Sequence, residues 1–302
     1  MKKSMPLPVD KSCMIYWPVL LIGMAITLVV SLSFHVVMLQ VLHVPYPDSS
    51  GVGRWAASVN TAFSIFATMV FYQLARLRME RISVVRQCLV VFALYAMLKE
   101  TTRIMVMMSI FTTAWRYHLL AGIPGLLYYL LAGSMIVVAG RSLRGWWMKA
   151  AGAVTIAGIL IFAVNPWMTR LAVPLLQAIA SLDHAEVYTF PYGWKVLVPA
   201  YATFAEPTVA CMLVAMLVWR RLSATPMLRM VQFVLLIMFM MGRLLPTLLF
   251  SFYLKMPLPK AVLSESQFFL EAFALAFLTA VVWQLAKRAE PAGEESEVLA
   301  TR

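Results

Sequence analysis

Eight predominantly apolar stretches alternate along the chain with short polar connectors, at roughly 14–39, 56–75, 87–113, 119–139, 150–170, 196–218, 230–254 and 267–286. A helix needs about 20 such residues to cross a hydrocarbon layer about 30 Å thick. Each stretch therefore predicts one transmembrane helix, and the chain as a whole predicts an all-α polytopic membrane protein with about eight of them. The fifth stretch is the least regular. Its apolar run meets Asn165-Pro166 and continues into 168–182, which reads as an amphipathic helix lying on the outer surface. The first 13 residues form a polar N-terminal tail. Residues 287–302 are acidic and rich in small side chains, the composition of a disordered tail.

The pattern also repeats. Stretch 2 ends in Leu-Ala-Arg-Leu and stretch 6 in Trp-Arg-Arg-Leu, each before a basic connector. Stretch 3 carries a buried Glu-Thr-Thr-Arg, and stretch 7 carries Met-Gly-Arg-Leu at a similar depth. These correspondences predict two parallel four-helix repeats, 14–139 and 150–286.

The distribution of charge sets an orientation. One set of segments holds Lys2, Lys3, Lys11, Arg76, Arg78, Arg81, Arg86, Arg141, Arg144, Lys149, Arg220, Arg221, Arg229, Lys287, Arg288 and Arg302. The alternate set holds only Arg54, Arg116, Arg170, Lys195, Lys255 and Lys260. Basic residues favour the cytoplasmic side, so both termini are predicted to be cytoplasmic. A compact chain with no soluble domain fits a bacterial cell inner membrane. Lys2 and Lys3 resemble the start of a signal peptide, but the apolar run that follows exceeds the ~7–15 residues of a cleaved segment.

Composition agrees with this class. Hydrophobic residues make up 62% of the 302 and charged residues 13%, against about 45–50% and 25% in soluble domains. The net charge of +12 lies in clusters between apolar stretches, which fits contact with membrane lipids and argues against a nucleic-acid partner. Cys13, Cys88 and Cys211 fit no disulfide or zinc spacing and read as small packing residues. His35, His43, His118 and His184 fall at the outer side without a metal-ligand spacing, so no metal site is assigned. No histidine is buried in facing stretches as a b-type haem requires, and no cofactor is predicted. The 22 methionines are scattered and read as apolar filler.

Six ionisable residues fall inside the apolar stretches: Lys99, Glu100, Arg103, Glu206, Arg243 and Glu271. Each costs about 2.5–3.5 kcal/mol at a helix centre and needs a partner or a wet cavity. Three are basic and three acidic, the balance an internally paired network requires. At about 1.5 Å per residue, continuous helices place Arg103 level with Glu271, and bring Lys99 and Arg243 near Glu206. Glu206 is therefore the expected partner of Arg243. Pro207 and Pro246 follow these two residues and predict kinks beside them.

Cys211 in stretch 6, Arg243 in stretch 7 and the polar start of stretch 8 resemble the exosortase group of eight-span transpeptidase-like enzymes. That resemblance covers about 80 residues and implies a Cys, an Arg and a His meeting at the outer face. The chain departs from the pattern: Cys211 lacks the following Ser-Gly, and Ser266-Gln267 stands where the histidine is expected. A cysteine without its base is not an activated nucleophile, so no catalytic residue is assigned. Neither GxSxG nor HExxH occurs. The favoured expectation is a transporter or transport-like sensor whose site in the outer half is built from the six ionisable residues. Its ligand would be a small anionic or lipid-linked molecule. The alternatives are a membrane-embedded enzyme acting on a lipid-linked or peptide substrate, with Glu206 or Cys211 as reactive groups, and an accessory subunit.

The topology has a direct check. Reporter fusions after Leu77, Arg144, Leu222 and Lys287 are expected to read as cytoplasmic, and fusions near Ser49, Trp115, His184 and Pro257 as external. External signals at both Arg144 and Leu222 would overturn the eight-span order.

Overall fold

A computed structural model describes residues 15–184 and 187–288. The predicted N-terminal tail, 1–13, and residues 289–302 of the predicted C-terminal tail lie outside the described residues. Lys287 and Arg288 belong to the last helix.

Among the described residues every regular element is helical. In chain order they are α1 (Trp17–Gln40), α2 (Arg54–Met79), α3 (Val84–Leu98), α4 (Thr101–Thr112), α5 (Trp115–Ala121), α6 (Ile123–Ser142), α7 (Trp146–Gly158), α8 (Asn165–Ala178), α9 (Trp194–Thr203), α10 (Ala205–Val218), α11 (Pro226–Met241), α12 (Leu244–Leu249) and α13 (Leu258–Arg288). Local chemistry marks several starts. Pro18, Pro124, Pro166 and Pro226 sit in first turns, where a missing N–H is not needed. Ser83 caps α3 by accepting from the Arg86 N–H.

Six helical segments are long and apolar enough to cross a membrane: Trp17–Gln40, Arg54–Met79, Trp115–Ser142, Trp146–Ala178, Trp194–Arg221 and Leu258–Lys287. The bent pair Pro226–Met241 and Leu244–Phe252 makes a seventh if it is one span. This is one short of the sequence expectation, because 87–113 is not one helix. It is divided into α3 and α4 at Lys99-Glu100, where Glu100 adopts φ 56°. The expected surface helix at 168–182 is also corrected. Residues 165–178 continue α7 through a π-helical turn at 159–164. Widening the turn just ahead of Pro166 absorbs its missing donor without ending the helix.

The centre of the bundle is formed by α2, α3, α10, α11 and α13, with α1 packed on α13, α6 on α3 and α2, and α7 on α2. Tyr72, Phe71, Phe233, Ile237 and Met238 are among its fully buried side chains. Small residues set the closest approaches. A Cβ on Gly133 of α6 would come within 2.8 Å of the Phe92 backbone nitrogen on α3, so the two helices meet backbone to backbone.

The second break lies at Gly242, where α11 turns through 72° into α12. Gly242 has φ 66°, which side-chain-bearing residues reach only with strain. A Cβ there would also lie 2.6 Å from Lys99 Nζ and 3.2 Å from Asn60 Nδ2. Gly242→Ala is expected to cost about 1–2 kcal/mol from the left-handed backbone alone. Thermal unfolding in detergent should show a lower Tm, and an unchanged Tm would mean that α11 does not break there.

Candidate functional site

The two breaks touch. Ending α11 at Met241 frees carbonyls that need donors from other elements, above all where the surroundings are apolar. Three neighbouring side chains supply the missing donors. Ser64 Oγ of α2 donates to the Met240 carbonyl at 2.6 Å, Lys99 Nζ to the Met241 carbonyl at 2.9 Å, and Asn60 Nδ2 of α2 to the Gly242 carbonyl at 3.2 Å. Lys99 thus brings a positive charge to the negative end of a neighbouring helix dipole. The Tyr95 hydroxyl, 3.0 Å from Ser64 Oγ, supports this cluster from α3.

The opposite charge serves the other break. Starting α4 at Thr101 leaves free N–H groups, and the Glu206 carboxylate of α10 accepts from the Thr102 N–H at 3.2 Å and the Arg103 N–H at 2.5 Å. The carboxylate of one helix therefore caps the positive end of another. On the α3 side, Thr101 Oγ1 donates to the Ala96 carbonyl at 3.0 Å.

Between the breaks sits Glu100, whose left-handed backbone turns its side chain out of the α3 line. Its carboxylate accepts from the Arg103 guanidinium and, at 3.3 Å, from Arg243 Nη2. Both cations also lie over aromatic faces, Arg103 at 5.0 Å from the Phe204 centroid and Arg243 at 4.8 Å from that of Phe268. The expected Arg243–Glu206 pair is not formed: the carboxylate beside Arg243 is Glu100. The break places Glu100 against α11, while Glu206 is committed to the α4 backbone.

Glu271 of α13 stands apart. Its side chain is 2% exposed, and among the described residues its nearest ionisable partner is His35 Nδ1 of α1 at 3.9 Å, beyond hydrogen-bonding reach. Arg103, His35 and Glu271 all line a cavity of about 420 Å³ toward the predicted outer side. Its remaining walls are mainly apolar, from α1, α4, α9 and α13, with Tyr46, Phe190 and Tyr192 of two connectors at its rim. The rim is tied down at two points. Ser264 Oγ and Gln267 Nε2 donate to the Pro45 carbonyl at 2.6 and 3.2 Å, and the Val187 N–H donates to the Phe111 carbonyl at 3.1 Å. Arg103 Nε and His35 Nδ1 are buried without a hydrogen-bond partner in the protein. Buried polar atoms are ordinarily paired, and these two belong to side chains that line the cavity, although the atoms themselves lie beneath its surface.

The six ionisable residues named from the sequence thus gather around the two breaks and the cavity floor. Sequence reading missed Asn60, Ser64 and Tyr95, which are unremarkable in an apolar helix until a broken neighbour needs their donors. It also left His35 among the outer histidines. The others lie elsewhere: His43 packs edge-on to Phe190 and His118 lies 3.8 Å from Asp183. Cys211 is fully buried in the α10 core.

Comparison with protein-family models, characterised proteins and solved structures returns no match. The class is therefore defined by fold and site alone: a helical protein with spans fit to cross a membrane and a buried charge network at two helix breaks.

The pairing is tested by two double-mutant cycles scored by unfolding in detergent. Glu100→Gln strands two guanidiniums and is expected to cost about 3–5 kcal/mol. Arg243→Met and Glu100→Gln should couple by more than ~0.5 kcal/mol, whereas Arg243→Met and Glu206→Gln should add within that margin. Coupling to Glu206 alone would restore the pairing expected from sequence.

Proposed function

We propose that this chain is a multi-pass protein of a cell inner membrane that binds and transports a small molecule through the cavity above its two helix breaks. In this reading α3 and α4 together form one crossing and α11 and α12 another, which gives eight crossings with both termini in the cytoplasm. The cavity then opens to the outside. The charge clusters at Arg76–Arg86, Arg141–Lys149 and Arg220–Arg229 face the cytoplasm and anionic membrane lipids, as their distribution favours.

Matching packing supports the two parallel repeats. If α2, α3, α4 and α6 correspond to α10, α11, α12 and α13, then α2 meets α6 as α10 meets α13, α3 meets α6 as α11 meets α13, and α2 meets α11 as α10 meets α3. The breaks fall at corresponding points, each at a residue with positive φ. Discontinuous helices facing one another near a repeat axis are a recurrent way to build a substrate site inside a membrane.

One observation carries the functional reading. Arg103, His35 and Glu271 all line a single cavity, while the other network charges are committed to one another or to backbone ends. A network that only locked the helices together would leave no such surplus. Lys99, Glu206 and Glu100 hold the broken helices in place, and Arg103 and Glu271 face the ligand. Arg243 shares Glu100 with Arg103, so one carboxylate serves two guanidiniums.

The test compares solute profiles of bacterial cells and medium with the chain expressed as wild type, Ala200→Phe or Glu271→Gln. Ala200 lines the cavity and is 8% exposed, so a phenyl ring there fills it. Wild type is expected to redistribute at least one small molecule across the membrane, and both variants to lose that effect while still reaching the membrane. A profile unchanged by the wild type, or shared equally by Ala200→Phe, would refute the transport reading.

A further inference from the structure

We infer that the ligand of this cavity is a zwitterionic amphiphile, held with its anionic group on Arg103 and its ammonium group against Glu271 and the rings of Tyr46 and Phe268. The inference rests on the cavity being a ligand site, as proposed above, and adds the chemical class.

Charge placement selects a zwitterion. Glu100 is shared by Arg103 and Arg243. Two charged side chains then line the cavity: the partly exposed guanidinium of Arg103, which shares Glu100 with Arg243, and Glu271, which has no Lys or Arg in ion-pair range among the described residues. A simple anion would gain the first and be repelled by the second. A simple cation would meet the reverse. A molecule carrying both charges satisfies both, and a buried charge that finds no partner is costly.

The rings beside Glu271 fit an ammonium group. Tyr46 and Phe268 stand edge to face with centroids 5.3 Å apart, and His35 packs 4.9 Å from Phe268 and 6.2 Å from Tyr46. Aromatic faces next to a carboxylate are the usual way to hold an alkylated or primary ammonium, through the ring quadrupole and the nearby negative charge. Arg243 already lies over Phe268, and Tyr46 is exposed at the rim, so the ammonium would enter from the rim side.

The remaining walls call for an apolar body. Leu32, Val36, Ile104, Met107, Val196 and Leu197 from three helices face the same space. About 420 Å³ is at the small end for ligand pockets, which run about 300–1,000 Å³, and suits a compact head with a short chain. A lipid headgroup and a free zwitterion with an alkyl tail share this chemistry.

The full-length chain, purified in a maltoside detergent, is titrated calorimetrically with four probes of equal chain length: octyl phosphocholine, octyl phosphoethanolamine, octyl phosphate and octyltrimethylammonium. At least one zwitterion is expected to bind tenfold or more tightly than both singly charged probes. Preference for the choline head assigns the ammonium to the rings, and preference for the ethanolamine head assigns it to a hydrogen bond with Glu271. Either supports the zwitterion. Glu271→Gln is expected to remove most of the preference over octyl phosphate, and Phe268→Leu to weaken the zwitterions while sparing octyl phosphate. To separate lipid from free solute, a long-chain phospholipid of the preferred head is added in nanodiscs. Competition with the octyl probe assigns a lipid, and its absence a free solute.

Octyl phosphate binding as tightly as the zwitterions, or Glu271→Gln leaving their ratio unchanged, would overturn the zwitterion class. If Ala200→Phe and Ile104→Trp still abolish that binding, the cavity remains a ligand site and only the class falls. If no probe binds, or both filling variants bind like wild type, the cavity reading falls with it.

Discussion

A helix broken inside an apolar core must find partners for the backbone groups its break exposes, and the centre of this protein is organised by that requirement. Hydrocarbon offers no hydrogen bonds, and each unmet group costs several kcal/mol there. Here the carbonyl end of α11 is met by Ser64, Lys99 and Asn60, and the N–H end of α4 by Glu206. The donors and acceptors come from other helices, so each break locks elements that are far apart in sequence. Charge sign follows the dipoles, with a cation at a carbonyl end and an anion at an amide end.

The site follows from these locks. Because Lys99 and Glu206 are committed to backbone, they do not compensate the remaining charges. Glu100 then faces two guanidiniums, and its left-handed backbone is the geometry that lets a residue at the end of α3 reach Arg243 on α11. Arg103 and Glu271 line the cavity of about 420 Å³ that reaches this network. The residues that hold the helices and the residues that line the cavity are thus neighbours in sequence, as Glu100 and Arg103 show. Substitutions in this region will often change stability and the proposed binding together.

Much of this was legible in the chain and some was not. All-helical architecture followed from apolar stretches too long for soluble packing, and the six ionisable residues stood out because lipid makes them expensive. Their pairing did not follow. Counting depth along a straight helix gives a residue's level but not its direction, and the α3 break re-aims Glu100 toward Arg243. The break itself was hidden, since a Lys-Glu-Thr-Thr run can sit in a continuous helix when its side chains find partners. Gly242 gave no warning either, because glycine is common inside membrane helices. Asn60 and Ser64 carry no pattern of their own; only the carbonyls opposite them give them a role. The continuation of α7 into α8 was obscured by Asn165-Pro166, which reads as a stop unless a widened turn accommodates it.

The stability of Lys99→Met and Glu206→Met, measured by chemical unfolding in detergent, tests the central claim most directly. Both substitutions roughly keep the length and the apolar stem of the side chain while removing the charged group that serves a backbone end. Each should lower stability by about 1–3 kcal/mol, the cost of leaving buried backbone groups unmet. The loss should persist when the neighbouring Arg243 is also replaced by Met, since the partner is backbone rather than another charge. Variants that unfold like the wild type would show that the two helix ends do not depend on these side chains, and would contradict the arrangement described for both breaks.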